Sequence, residues 1–140
     1  MRENAMSVVW SEKYSLNHIK IDDQHKALFH LASSVEELDT QKSTKEELAV
    51  LIKQLFKYMR EHFNDEEEYM QNIGYPLLPE HKKEHEKFIN SMTDILKETK
   101  GLELLQSKIK TLSYQWRTKH VLSSDLAIEK WRRSHMIDTE

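Results

Sequence analysis

The stretch LAVLIKQLFKYMREHFNDEEEYMQNIGYP, residues 48–76, decides how the rest of the chain is read. Leu48, Ile52, Leu55, Met59 and Ile73 recur with the spacing of a buried helical stripe, and the same line passes through His62 and Glu66. Gly74-Tyr75-Pro76 then stops the helix, since glycine closes a last turn easily and proline cannot continue one. A long helix therefore carries an imidazole and a carboxylate where leucines are expected.

Three more helical segments flank this one. The first runs from about residue 22 to 39, with Ile21, Leu28, Ala32, Val35 and Leu38 on its stripe. Ser43 or Thr44 offers the cap for the second helix, over residues 44–73, with Glu46 and Glu47 in the first turn where the helix dipole favours negative charge. The third, residues 79–100, begins near Pro79, shows Leu78, Phe88, Met92 and Leu96, and is expected to end at Gly101. The fourth, residues 102–133, carries Leu102, Leu105, Ile109, Leu112 and Trp116 and extends past Trp131. Residues 1–20 lack periodicity and are expected to form a packed arm anchored by Trp10. Short connections between long helices imply antiparallel neighbours. The expectation is an all-α, up-down-up-down antiparallel four-helix bundle with an N-terminal arm, one domain over residues 1–140.

Composition agrees and narrows the chemistry. The 140 residues include only 2 Gly and 2 Pro, which favours helix throughout. The net charge is −3 with signs interspersed, so nothing calls for nucleic acid or a membrane surface. There is no cysteine, which excludes disulfides, zinc–thiolate sites and iron–sulfur clusters. Met1–Trp10 lack the apolar run of a secretory signal and no stretch approaches membrane-spanning length, so a cytoplasmic location is the expectation.

The informative residues are those that interrupt the stripes: His25 in the first helix, His62 and Glu66 in the second, His81 and His85 in the third, His120 in the fourth. His62 with Glu66, and His81 with His85, are four apart and so share a helix face. His120 and Asp125 are five apart, roughly 140° around a regular helix, and would converge only on something between the helices. Reflection about the turns places Glu66 opposite His85, His120 between His81 and His85, and His25 about one turn from His62. All four helices thus deliver polar groups to one layer. Burying an unpartnered carboxylate costs tens of kcal/mol by Born solvation, so two carboxylates among five imidazoles call for cations. Seven nitrogen and oxygen ligands are too many for one tetrahedral zinc and match two six-coordinate metals. With Glu66 and Asp125 each bridging, the histidines divide three and two, and a bridging oxo or hydroxo group leaves one position open. Imidazole with carboxylate suits iron, and iron with an open position suits dioxygen.

The runs Ile21-Asp22-Asp23-Gln24-His25-Lys26-Ala27-Leu28-Phe29, His62-Phe63-Asn64-Asp65-Glu66-Glu67, Gly74-Tyr75-Pro76, His81-Lys82-Lys83-Glu84-His85 and His120-Val121-Leu122-Ser123-Ser124-Asp125 together resemble the hemerythrin family. They are most similar to the bacterial single-domain hemerythrins (bacteriohemerythrins), from about Trp10 to Trp131. The resemblance implies an oxo- or hydroxo-bridged pair of irons that binds dioxygen reversibly. His81, His85 and His120 would hold the first iron, His25 and His62 the second, and Glu66 and Asp125 would bridge them. Leu28, Phe63, Trp116 and Arg117 would line the oxygen pocket.

Arg117 departs from the family pattern, which has an apolar residue three before the last ligand histidine. Its guanidinium is expected either to donate to bound ligand or to snorkel outward, and to shorten the life of the oxygen-bound form. His18, His30 and His135 read as non-ligands, Glu67 and Glu68 as solvated neighbours of Glu66, and Trp116 and Phe63 as core or pocket wall. Two rival functions stand beside an oxygen carrier or store, apart from an empty or zinc-filled structural bundle, which the burial cost disfavours. One is a di-iron enzyme handling peroxide or nitric oxide, although the Glu-x-x-His pairs of ferritin-like sites are absent. The other is a sensor, which would need a separate partner protein.

Overall fold

A computed structural model describes residues 9–135. The first eight residues of the expected arm lie outside it. Helix α1 spans Ile19–Glu37, α2 Lys45–Ile73, α3 Leu78–Glu98 and α4 Leu102–Gln115; α4 runs directly into a π-helical segment, Trp116–Asp125, and then into α5, Leu126–Ser134. No strand occurs among the described residues. The chain is a helical bundle in which α1 packs on α2 and α4, and α3 packs on the same two.

The ends of the helices follow from local chemistry. α1 begins at Ile19, three residues before the start that its stripe suggests, because the His18 ring accepts the Ile21 N–H at 3.2 Å through Nδ1. At its other end Gln106 reaches across from α4 and donates to the carbonyls of Val35 and Leu38 at 2.9 and 2.7 Å. Thr44 and Glu47 close a reciprocal capping box on α2. Gly74 ends α2 in the left-handed region at φ 72°, where a side chain would be strained. Gly101, expected to end α3, instead starts α4 at φ 92°; α3 ends in the extended Thr99.

Two apolar clusters bracket a polar layer. The larger contains Leu28, Phe29, Ile52, Leu55, Met59, Phe63, Met92, Ile109 and Trp116, with Trp10 packed against it. The smaller contains Leu16, Ile21, Tyr69, Met70, Tyr75 and Ile128. Between Ile21 and Leu28 on α1 lies His25, and between Phe63 and Tyr69 on α2 lies Glu66, so the bundle's hydrophobic core is divided at that level. Removing a large apolar side chain from either cluster costs about 2–5 kcal/mol, and the same packing holds the helices that frame the layer.

Candidate metal centre

All seven residues singled out in the sequence meet in that layer. Glu66 and Asp125 are fully buried, and the five histidines are no more than 7% exposed. The ligand atoms form two groups sharing both carboxylates: His81, His85 and His120 with Glu66 and Asp125, and His25 and His62 with the same pair. Each carboxylate divides its oxygens between them. Glu66 Oε1 lies 3.0 Å from Nε2 of both His81 and His85, while Oε2 faces His25 and His62 at 3.3 and 3.4 Å. Asp125 Oδ1 lies 2.9 and 3.0 Å from His81 and His120, and Oδ2 lies 3.1 Å from His25.

These spacings fit ligands around a cation. Two donors about 2.1 Å from one ion sit about 3.0 Å apart at a right angle, and about 3.4 Å apart at the tetrahedral angle. The Nε2 atoms of His81 and His85 lie 3.1 and 3.0 Å from that of His120, so the three-histidine group has the right-angled edges of an octahedral corner. Nε2 of His25 and His62, Oε2 of Glu66 and both Asp125 oxygens are buried yet make no hydrogen bond. Such orphaned polar atoms, aimed at common points, are what ions would satisfy.

The electrostatics without ions show the strain of this packing. Burial and the adjacent Glu66 push Asp125 up, but the imidazoles of His120 and His25 outweigh them and hold its carboxyl below the ordinary range. Burial likewise pushes Glu66 up, and His62, His120 and His25 bring it well below. Burial pulls His25 and His81 down, yet Asp125 and Glu66 raise both to about 9, and His120 rises too. Burial leaves His62 lowered. Without cations the two carboxylates stay ionised and are balanced by protons held on the imidazoles of His25, His81 and His120.

The far side of each ring is held as well. The Nδ1–H of His85 donates to Glu67 at 2.7 Å, that of His120 to Glu84 at 2.9 Å, and that of His62 to the Gln24 carbonyl at 2.8 Å. Glu67 is therefore no mere solvated neighbour of Glu66. Phe63 stacks flat on His85, with centroids 3.8 Å apart. Glu67, Glu84 and Gln24 were missed in the sequence, where the only cue was a polar residue within three positions of each ligand. His18 caps α1, and His30 and His135 are exposed.

The π-helical segment changes how His120 and Asp125 relate. Its i→i+5 hydrogen bonds bring residues five apart into line, so the two touch at 3.0 Å instead of sitting 140° apart. Trp116, at its start, packs edge-on to His25 and His62, with centroids 6.0 and 6.5 Å away. Leu28 and Phe63 lie in the same apolar cluster as Trp116. Arg117 does something else. It is fully buried, and its Nη2 donates to Glu36 near the C-terminal end of α1. The guanidinium does not snorkel to water, because α1 supplies a carboxylate inside the protein.

A helical bundle whose core is interrupted by two sets of cation ligands is, as a class, a metal-binding helical protein. More narrowly, residues 19–131 match the hemerythrin HHE cation binding domain, and the chain belongs to the hemerythrin family. It is 29% identical over 126 residues to a bacteriohemerythrin of Campylobacter jejuni, covering 89% of this chain and 95% of that one. A bacteriohemerythrin of Clostridium acetobutylicum is 31% identical over 124 residues, covering 84% and 95%. A myohemerythrin of Theromyzon tessulatum is 29% identical over 118 residues, covering 83% and 86%. No solved structure matches the chain at comparable significance.

Proposed function

We propose that the protein binds dioxygen reversibly, as a carrier or store, at a pair of non-haem irons held by His25, His62, Glu66, His81, His85, His120 and Asp125. The observation that carries this reading is the division of both carboxylates between a three-histidine and a two-histidine group, which leaves one ion short of a protein ligand. The irons would supply the electrons that dioxygen accepts and returns. The chain supplies the rest. Trp116, edge-on to His25 and His62 and in one apolar cluster with Phe63 and Leu28, keeps water from the two-histidine side, because an apolar wall slows protonation and loss of a reduced ligand. Glu67, Glu84 and Gln24 fix the ring orientations through Nδ1. Binding is favoured over turnover because the ligand set is rich in imidazole and poor in the anionic carboxylates that stabilise high-valent iron. In the same reading the four helices run alternately up and down, in keeping with the neighbours each one packs against.

The test is an optical spectrum of iron-loaded, reduced protein exposed to air. A visible charge-transfer band that rises in air and discharges under argon supports the reading. Consumption of peroxide with no such band would transfer the protein to the enzymes.

A further inference from the structure

The two halves of the centre are not equivalent, and the difference lies in this chain's own side chains. The three-histidine corner offers five donors, and its carboxylate–imidazole contacts are 2.9–3.0 Å except that of Glu66 Oε1 with His120, at 3.6 Å. The two-histidine corner offers four donors, at 3.1–3.4 Å. Both sets of spacings suit a cation, so the difference between the corners here is the number of donors, five against four.

Support behind the rings runs the same way. His85 and His120 each donate Nδ1–H to a carboxylate, Glu67 and Glu84, and an anionic acceptor makes an imidazole a stronger donor to a metal. His62 donates to the neutral amide of Gln24, and Nδ1 of His25 is buried without a partner. The Gln24 amide cannot turn round to improve this. Its Nε2 donates to Asp65 at 2.7 Å, and a carboxylate accepts only from the NH₂ end, so the carbonyl must face His62. Asp65 in turn pairs with Lys20 at 3.4 Å at the surface, so its negative charge is partly spent before it reaches the ring. A second ion would also enter against the charge of the first, on carboxylates already engaged.

We infer that the two positions fill in sequence: the corner of His81, His85 and His120 takes and retains the first divalent ion, and the corner of His25 and His62 holds a second that exchanges. This rests on the two-ion reading of the centre but not on dioxygen as its ligand. A consequence is that the exchangeable corner accepts a different divalent ion from its neighbour, giving a mixed-metal centre under limiting supply.

The test is an anaerobic titration of metal-free protein with cobalt(II), followed by absorption and calorimetry. Two separate steps are expected, with dissociation constants at least about tenfold apart, since single partners behind metal-bound histidines are worth about 10–100-fold. Gln24→Glu combined with Asp65→Asn, which places a carboxylate behind His62 with an amide to donate to it, should tighten the second step and leave the first. Glu67→Gln should weaken the first. Wild-type protein loaded with two cobalt ions and challenged with zinc should exchange one ion quickly and the other slowly, a measurement that needs no variant. A single two-ion step, or equal exchange of both ions, would overturn the inference. Stepwise loading by a protein whose iron form ignores air would sink the oxygen reading and leave this one standing.

Discussion

Arg117 and Glu36 offer a perturbation whose size follows from burial. The arginine is fully buried and the Glu36 side chain is 7% exposed, so neither charge has water to fall back on. Burial pushes the Glu36 carboxyl up, and the guanidinium pulls it partly back. Arg117→Leu removes that pull and leaves the carboxyl with only the weaker attraction of Lys110, at a cost of up to about 3–5 kcal/mol at neutral pH. For a chain of this length that is on the order of 10–20 °C in Tm. The penalty has a pH signature. The folded carboxyl of the variant stays above its unfolded value, so the lone group is tolerated when protonated in acid, and the cost grows as pH rises through its folded pKa. The double variant Arg117→Leu/Glu36→Leu removes both charges and should recover most of the loss, since an apolar pair of similar volume often equals or exceeds a buried ion pair. Urea unfolding of the metal-free wild type, both singles and the double, at pH 5 and pH 8, measures the coupling. A single-variant penalty below about 1 kcal/mol, or additive singles, would mean that the pair is not buried and coupled as described.

In the iron-loaded protein, the lifetime of the oxygen-bound form should increase from Glu36→Gln through wild type to Arg117→Leu, because the first frees a buried positive charge and the last removes it; decay of the visible band measures it, and a longer-lived Glu36→Gln form would refute the order. Glu66→Gln keeps the volume but removes the shared charge, and should retain no more than one ion per chain after desalting under conditions where wild type keeps two; two retained ions would refute the bridging role. Metal-free protein should lose stability as pH rises from about 6.5 to about 9, because His25 and His81 have folded values raised to about 9 and their stabilising protons leave over that window. His62 is shifted the other way, so its contribution changes below that window. A urea midpoint that is flat or rising across it would contradict the assignment.

What the sequence made legible, and what it hid, divides along one physical line. Six of the seven candidate ligands stood out because each breaks an apolar stripe, and a buried imidazole or carboxylate is anomalous against a periodic background; Asp125 entered by its spacing from His120 and by the family resemblance. Reflection about the turns paired Glu66 with His85 and placed His120 between His81 and His85, as the contacts show. Glu67, Glu84 and Gln24 could not be found this way. They sit at helix positions where a charged or amide side chain is ordinary, and only the partner ring 18 residues away identifies Glu67 as more than a solvated acid. Arg117 was visible as an intruder, but its partner is 81 residues distant and on a face that periodicity alone does not mark.

The π-helical segment is the subtler case, because its composition, Trp116–Asp125, carries no signature of its own. Its trace in the sequence is a conflict of spacing. His62 with Glu66, and His81 with His85, obey the four-residue step of a regular helix, whereas His120 and Asp125 are separated by five. A regular helix would send these last two to opposite edges of its buried face, yet one carboxylate oxygen must lie beside His120 while the other reaches His25 on α1. Only a wider turn brings both side chains to the same point without breaking the helix, so the extra residue is what lets this segment contribute both an imidazole and a carboxylate shared by the two groups.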